Sequence, residues 1–171
     1  MSDTASPYPY AYDSDKADEI WALLNSVSKD KDRPAPTQQV CAALFGNSPF
    51  LSAIAERSPT MSAAALTTAP SQSFRDLIDD LRTPRPTGET RQDLMAFLRS
   101  CKARLSLITA YGDISGIWSL DEVTWALSEF ADAALNLSLG HLVYDLMMRG
   151  DIDWPAERPE PVSPTLARQT G

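Results

Sequence analysis

The clearest pattern in the sequence is a helical repeat of apolar residues in its second half. Apolar side chains recur at steps of three and four from Leu94 to Tyr111, which is typical of an amphipathic helix. A second run with this spacing follows Ser119 and Glu122, which form a capping box: each side chain can pair with the other residue's backbone N–H. We predict two long antiparallel helices, at about 89–112 and 120–149, separated by a break between Gly112 and Gly116.

The second of these helices is apolar on two sides. One stripe is Leu120, Val123, Leu127, Phe130, Ala134 and Leu137, and the other is Trp125, Leu135, Leu139, Leu142 and Leu146. A helix that is apolar on both sides is expected to be buried on both sides.

Two short helices are predicted near the start of the chain. Apolar residues at helical spacing follow Asp15, a plausible N-cap, and predict a loosely packed amphipathic helix at 16–28. A second helix is predicted at 37–45, where Gly46 could end it in the left-handed conformation that favours glycine.

Three further short helices are predicted before the long pair. Two begin at Ser48-Pro49 and Ser58-Pro59, since serine caps a helix and proline suits its first position. The third begins at Ser73 and ends before Pro84. No segment alternates with period two for long enough to predict a strand, and no repeat of 20 to 50 residues occurs. The predicted fold is all-α: five short helices in a bundle-like array, then two long ones, with no sheet.

Net charge, apolar runs and the few cysteine and histidine residues argue against several kinds of partner and site. The 171-residue chain has a net charge of -8, and the sum over residues 113–160 alone is -8. Nucleic-acid binders mass Lys and Arg on one face, so a nucleic-acid partner is not expected. No run of eighteen apolar residues and no leader pattern occurs, so no membrane partner is expected either. With two cysteines and one histidine, we predict no structural zinc and no disulfide, and a cytoplasmic protein with reduced thiols.

One short pattern could suggest nucleotide chemistry. Gly140 precedes Asp151 and Asp153 at a spacing found in nucleotidyltransferases, where two carboxylates on a strand hold Mg²⁺. Here the glycine falls inside a predicted helix, and no β-branched run accompanies the aspartates. A chance match is the favoured interpretation.

The other candidate groups have structural interpretations. His141 has Asp145 on the same helix face and no nearby nucleophile at a turn, so a packing role is favoured over general base. Cys41 and Cys101 lie on apolar faces, where cysteine behaves as a small hydrophobe. Arg99, Lys102 and Arg104 could bind an anion or an acidic partner, but a solvated helix face is the favoured interpretation. Trp118 and Trp125 could anchor a partner, but core packing is favoured for both.

Two stretches resemble a known family. Residues 45–51, Phe-Gly-Asn-Ser-Pro-Phe-Leu, together with 53–59, are similar to the "FGNSPFL" signature of bacterial glutamate–ammonia-ligase (glutamine synthetase) adenylyltransferases. A second stretch resembles that family's "LR..K.R…D..G…L.EVT..LS..AD..L" helical segment. It comprises Leu98, Arg99, Lys102, Arg104, Asp113, Gly116, residues 120–124, Leu127, Ser128, Ala131, Asp132 and Leu135. The two stretches cover about residues 44–150.

The resemblance implies a bifunctional enzyme of nitrogen regulation. Such an enzyme uses ATP and Mg²⁺ to transfer AMP to a tyrosine of glutamine synthetase, removes the AMP by phosphorolysis, and responds to a PII-type signalling protein. It also implies a division into a variable tail with one short helix at 1–36, the family's helical N-terminal domain at 37–150, and a Pro-rich linker at 151–171 that leads to a nucleotidyltransferase domain.

The family's "GMGKLG.REL.Y.SDIDL" motif, which carries its metal-binding carboxylates, has no counterpart in these 171 residues. No residue of the chain is therefore assigned a catalytic, cofactor-binding or metal-binding role. We expect an N-terminal fragment that is inactive alone and supports the catalytic domain, leaving Trp125, Leu135, Leu139 and Leu142 partly bare. The alternative is a stand-alone helical module that binds glutamine synthetase or a PII-type protein and covers that stripe.

Overall fold

The fold is all-α, as predicted. The computed structural model describes residues 7–28, 37–85 and 89–153. Within those ranges the chain forms seven α-helices and no strand. Most of the predicted Pro-rich linker lies outside the described residues, as do the prolines at 34 and 36.

The five short helices are confirmed, with shifted boundaries. They are α1 Ser14–Val27, α2 Gln38–Phe45, α3 Pro49–Arg57, α4 Pro59–Thr67 and α5 Pro70–Arg82. Asp13, and not Asp15, caps α1, because its carboxylate accepts the N–H of Lys16 at 2.9 Å. Helix α1 also packs more tightly than expected, since Ile20 and Leu24 lie in the common core.

Helix α5 begins three residues before the predicted Ser73. Pro70 occupies its first turn, where the missing proline N–H needs no partner. Ser73 is buried within the helix, and its hydroxyl donates to the carbonyl of Ala65 in α4 at 3.3 Å. The serine therefore joins two helices and does not cap one.

The long helices are confirmed as α6 Arg91–Ile114 and α7 Leu120–Met148. Each begins with a capping box, formed by Thr90 with Asp93 and by Ser119 with Glu122. The hydrogen bond from the Ser119 N–H lowers the pKa of the Glu122 carboxyl, which keeps the cap charged. These local signals fix the start of both helices.

The break between the long helices lies after Gly112 and not at it. Helix α6 continues through Gly112 to Ile114, and Gly116 takes the left-handed conformation with φ of 68°. The N–H of Trp118 donates to the carbonyl of Gly112 at 3.0 Å, and the indole lies directly over this glycine. Gly112 is thus needed for space, because a side chain there would meet the Trp118 ring.

One core runs through the whole described bundle. Helix α6 contributes its most buried residues, including Leu107 and Ile108, and it contacts α2, α3, α4, α5 and α7. Of the helices that the structure describes, α7 packs only on α5 and α6. Among the described residues, no helix combines the length and apolar character that a membrane span needs.

The Gly112 contact generates a test of this packing. Replacing Gly112 with alanine would place its Cβ 2.7 Å from Cδ2 of Trp118. Alanine normally favours a helix interior by about 1 kcal/mol over glycine, but overpacking costs about 1–3 kcal/mol. We expect Gly112→Ala to lower the free energy of unfolding in urea titrations. A gain in stability would show that Trp118 does not lie on this glycine.

Candidate functional site

The segment at residues 45–51 forms the tight turn between α2 and α3. Phe45 and Leu51 are buried on either side of the turn, and Phe50 between them is exposed. The Ser48 hydroxyl accepts the N–H of Leu51 at 3.3 Å, and Pro49 takes the first helical position, as predicted. Phe45 and Leu51 therefore contribute to the core, whereas Ser48 and Pro49 fix the start of α3.

Asn47 fastens the N-terminal segment to this turn. Its side-chain Oδ1 accepts the N–H of Tyr12 at 3.0 Å, while Nδ2 donates to the carbonyls of Tyr10 at 2.9 Å and Ala43 at 3.0 Å. The N–H of Asp13 also donates to the carbonyl of Gly46 at 2.9 Å. Three hydrogen bonds thus join residues 10–13 to Gly46 and Asn47, and the fourth holds the Asn47 side chain on α2. This role of Asn47 had no local signal in the sequence.

Gly46 is not left-handed, and that prediction is wrong. Its φ is -73°, which any residue can adopt. The constraint is space, because a Cβ at this position would lie 2.4 Å from the Cβ of Ala11 and 2.9 Å from the carbonyl oxygen of Asp13. The glycine is needed because the N-terminal segment crosses over the turn.

Both thiols are buried. Cys41 is fully enclosed between α1, α2 and α4, and Cys101 faces the core from α6. Burial raises the pKa of Cys41 to about 12 and that of Cys101 to about 11, so both remain protonated near neutral pH. Neither has the depressed pKa that a nucleophilic thiolate needs.

His141, Gly140 and the two aspartates do not form a site. His141 faces the bundle, and its Nε2 is buried and lies 3.6 Å from Oδ2 of Asp145, beyond hydrogen-bond distance. Gly140 lies inside α7, while Asp151 and Asp153 are exposed after the helix ends. Nowhere in residues 7–28, 37–85 and 89–153 do three His, Cys, Asp or Glu side chains converge as metal ligands would.

The basic residues of α6 divide into two groups. Arg104 is half-buried and pairs with Asp80 of α5, whereas Arg99 and Lys102 are exposed. Arg82 of α5 similarly pairs with Glu129 of α7, and the Arg85 guanidinium lies 3.8 Å from the centre of the Phe97 ring. Arg82 and Arg104 thus link helices, whereas Arg99 and Lys102 lie on a solvated helix face, as predicted.

The two tryptophans have different environments. Trp118 is buried, with its ring edge to Phe74 and its indole N–H donating to the Ser71 hydroxyl at 3.1 Å, so its predicted core role is confirmed. Trp125 is 60% exposed, although its ring meets Phe74 edge-on at 5.4 Å. A core role for Trp125 was therefore wrong.

Within residues 7–28, 37–85 and 89–153, helix α7 is covered on one side only. Ala126, Phe130 and Leu137 are buried against the bundle. On the opposite side Leu135, Leu139 and Leu142 are 60%, 58% and 46% exposed, and we call these three leucines the outer face of α7. Leu120 and Leu127 are also exposed. The expectation that both sides are buried is wrong for the described residues, whereas the expectation of a partly bare stripe is confirmed.

Comparison with known proteins identifies one family. The sequence profile described as glutamate-ammonia ligase adenylyltransferase matches residues 38–162. No solved structure matches the chain.

The relatives share one description, "bifunctional glutamine synthetase adenylyltransferase/adenylyl-removing enzyme". The protein from Caulobacter vibrioides is 34% identical over 111 residues, which are 64% of this chain and 11% of that protein. One from Rhodopseudomonas palustris is 31% identical over 138 residues, which are 81% of this chain and 13% of that protein. One from Xanthobacter autotrophicus is 31% identical over 111 residues, which are 65% of this chain and 11% of that protein. The chain thus spans 11–13% of the length of these relatives.

The Asn47 contacts predict a specific loss of stability. Asn47→Ala removes three side-chain hydrogen bonds, each of which contributes about 1 kcal/mol. We expect a loss of about 1–3 kcal/mol in urea unfolding and faster amide exchange at Tyr12 and Asp13. Asn136→Ala, at an exposed position on α7, is the matched control and should change little. Equal effects of the two variants would contradict the role of Asn47.

The buried thiols predict a pH dependence. Free cysteine has a pKa of roughly 8.5, so the unfolded chain releases these protons at lower pH than the folded chain does. The stabilisation is complete below about pH 8.5 and is lost as the pH rises towards the folded values of about 11 and 12. The double variant Cys41→Ala/Cys101→Ala should lose less stability between pH 8.5 and 10.5 than the parent chain. Parallel curves would contradict the pKa shifts.

Proposed function

Because the chain belongs to the glutamate–ammonia ligase adenylyltransferase family, we propose that it is a helical supporting region of an enzyme that adenylylates glutamine synthetase and removes the adenylyl group. In this proposal the whole enzyme transfers AMP from ATP to a tyrosine of glutamine synthetase, with Mg²⁺, and removes it by phosphorolysis. Glutamine synthetase and a PII-type signalling protein are its proposed partners.

The observation that carries this proposal is the match of the family profile to residues 38–162. The matched residues include the turn at 45–51, where three residues have structural roles: Ser48 caps α3, Asn47 holds residues 10–13, and Gly46 makes room for Ala11. The matched region contains six of the seven helices, α2 to α7. The resemblance therefore involves residues that build a scaffold.

A supporting role fits the chemistry of the described side chains better than a catalytic one. ATP with Mg²⁺ requires converging carboxylates and a backbone cradle for phosphates. The exposed Asp151 and Asp153 lack a third ligand nearby in the described residues, and the buried thiols are protonated. These side chains do not fit the cofactor, so we assign no step of AMP transfer to them.

The exposed leucines of α7 also support the proposal. A region that packs on the rest of a larger enzyme keeps one apolar face for that contact, whereas a stand-alone module would cover it. Leu135 and Leu139 are each more than half exposed. This observation favours the supporting role over the stand-alone binding module.

A chimera tests the proposal in an intact enzyme. In the Caulobacter vibrioides relative, the matched 111 residues are replaced by the corresponding part of this chain. We expect AMP incorporation into glutamine synthetase, followed by mass spectrometry, to stay within about tenfold of the parent, because one decade corresponds to only about 1.4 kcal/mol in the barrier. Deleting the region should abolish incorporation, and the purified chain alone should show none.

Two results would contradict the proposal. Activity of the purified chain would show that it carries catalytic groups. An inactive chimera with normal helicity and thermal stability would show that this chain cannot serve as the supporting region.

A further inference from the structure

The outer face of α7 has the geometry of a helix-docking surface. Leu135, Leu139 and Leu142 follow steps of four and three, and Leu146, half-buried, continues with another step of four. Steps that average about 3.7 residues are close to the 3.6 residues of one helical turn, so the stripe runs nearly parallel to the helix axis, which is the pattern that a second helix packs against. From Leu135 to Leu146 the stripe is about 16 Å long at 1.5 Å per residue.

The helix that carries this stripe is acidic. Residues 120–153 contain seven Asp and Glu residues, and Arg149 is the one Lys or Arg among them. Arg149 lies 3.7 Å from Asp151 and donates to the carbonyl of Asp145, so its charge is partly compensated within the chain. Asp132, one turn before Leu135, is exposed. A complementary partner carries Lys or Arg beside its apolar residues.

A second copy of this chain fits the face less well. Stable protein interfaces bury about 1,200–2,000 Å² in total, and three exposed leucines on two turns of helix supply only a fraction of that area. Each copy would also bring a net charge of -8 and the same acidic surroundings, so the charges would oppose association.

We propose that the outer face of α7 binds an amphipathic helix with apolar residues three and four apart and Lys or Arg beside them. This inference rests on the proposed function, because it places that helix in the part of the enzyme outside the matched region. More than four-fifths of each relative lies outside the match, so in those relatives a partner segment is available in the same polypeptide as the matched region. The leucines anchor the helix, and the acidic residues set its orientation.

Peptide binding tests the proposal. Fluorescein-labelled 25-residue peptides that tile the Caulobacter vibrioides relative outside its matched region are titrated with the full chain, and binding is followed by fluorescence anisotropy. We expect binding by at least one peptide with the stated pattern. Leu139→Glu and, separately, Leu142→Glu should weaken it about tenfold or more, since each places a charge in the apolar contact.

Met95→Glu is the matched control. Met95 is 47% exposed on α6, so the same substitution is made at similar exposure on another helix. Its affinity should stay within about twofold of the parent. Because all three positions are exposed, the variants should keep the helicity and melting temperature of the parent.

Three results would overturn the proposal: no peptide binds, the Met95 and Leu139 variants lose affinity equally, or sedimentation velocity shows a dimer that Leu139→Glu disperses. These outcomes are separate from the chimera assay. An active chimera without peptide binding would contradict the docking helix and support the proposed supporting role. Peptide binding with an inactive chimera would support the docking helix and contradict the supporting role.

Discussion

Helix α7 carries apolar side chains on opposite sides, and a helix can bury both only when neighbours lie on both sides. In the described chain α5 and α6 cover one side, where Phe130 and Leu137 join the core. The outer face stays in contact with water, at a cost of about 25 cal/mol for each Å² of apolar surface. The packing on α5 and α6 therefore buries one side of α7 and leaves its other side exposed in the described chain.

The same packing fixes the position of the outer face. Trp118 lies over Gly112 at the turn between the long helices, and its ring contacts Phe74 of α5. Arg82 of α5 pairs with Glu129 of α7. Contacts at the turn and along α7 thus hold this helix at a fixed rotation, with the three leucines of the outer face directed away from the core. A rigid helix presents a more specific surface than a loop would.

Features that depend on nearby sequence could be predicted, and features that depend on distant neighbours could not. The capping box at Ser119 and the leucine spacing in α7 are local, so both helix and outer face follow from the sequence. Gly46 was wrongly predicted to be left-handed. The actual reason for a glycine at this position is the crossing of Ala11 above it, which is a long-range contact. Two of the three partners of Asn47, Tyr12 and Tyr10, lie 35 and 37 residues away along the chain, beyond the reach of any local pattern. The exposure of Trp125 likewise depends on which neighbours are present.

Whether α7 has a free apolar face can be measured at individual leucine methyl groups. In an NMR experiment with a soluble paramagnetic probe, we expect strong relaxation enhancement at Leu135, Leu139 and Leu142 and weak enhancement at Leu137, which is 4% exposed on the same helix. Equal protection of all four leucines would contradict this expectation, because α7 would then have no free apolar face.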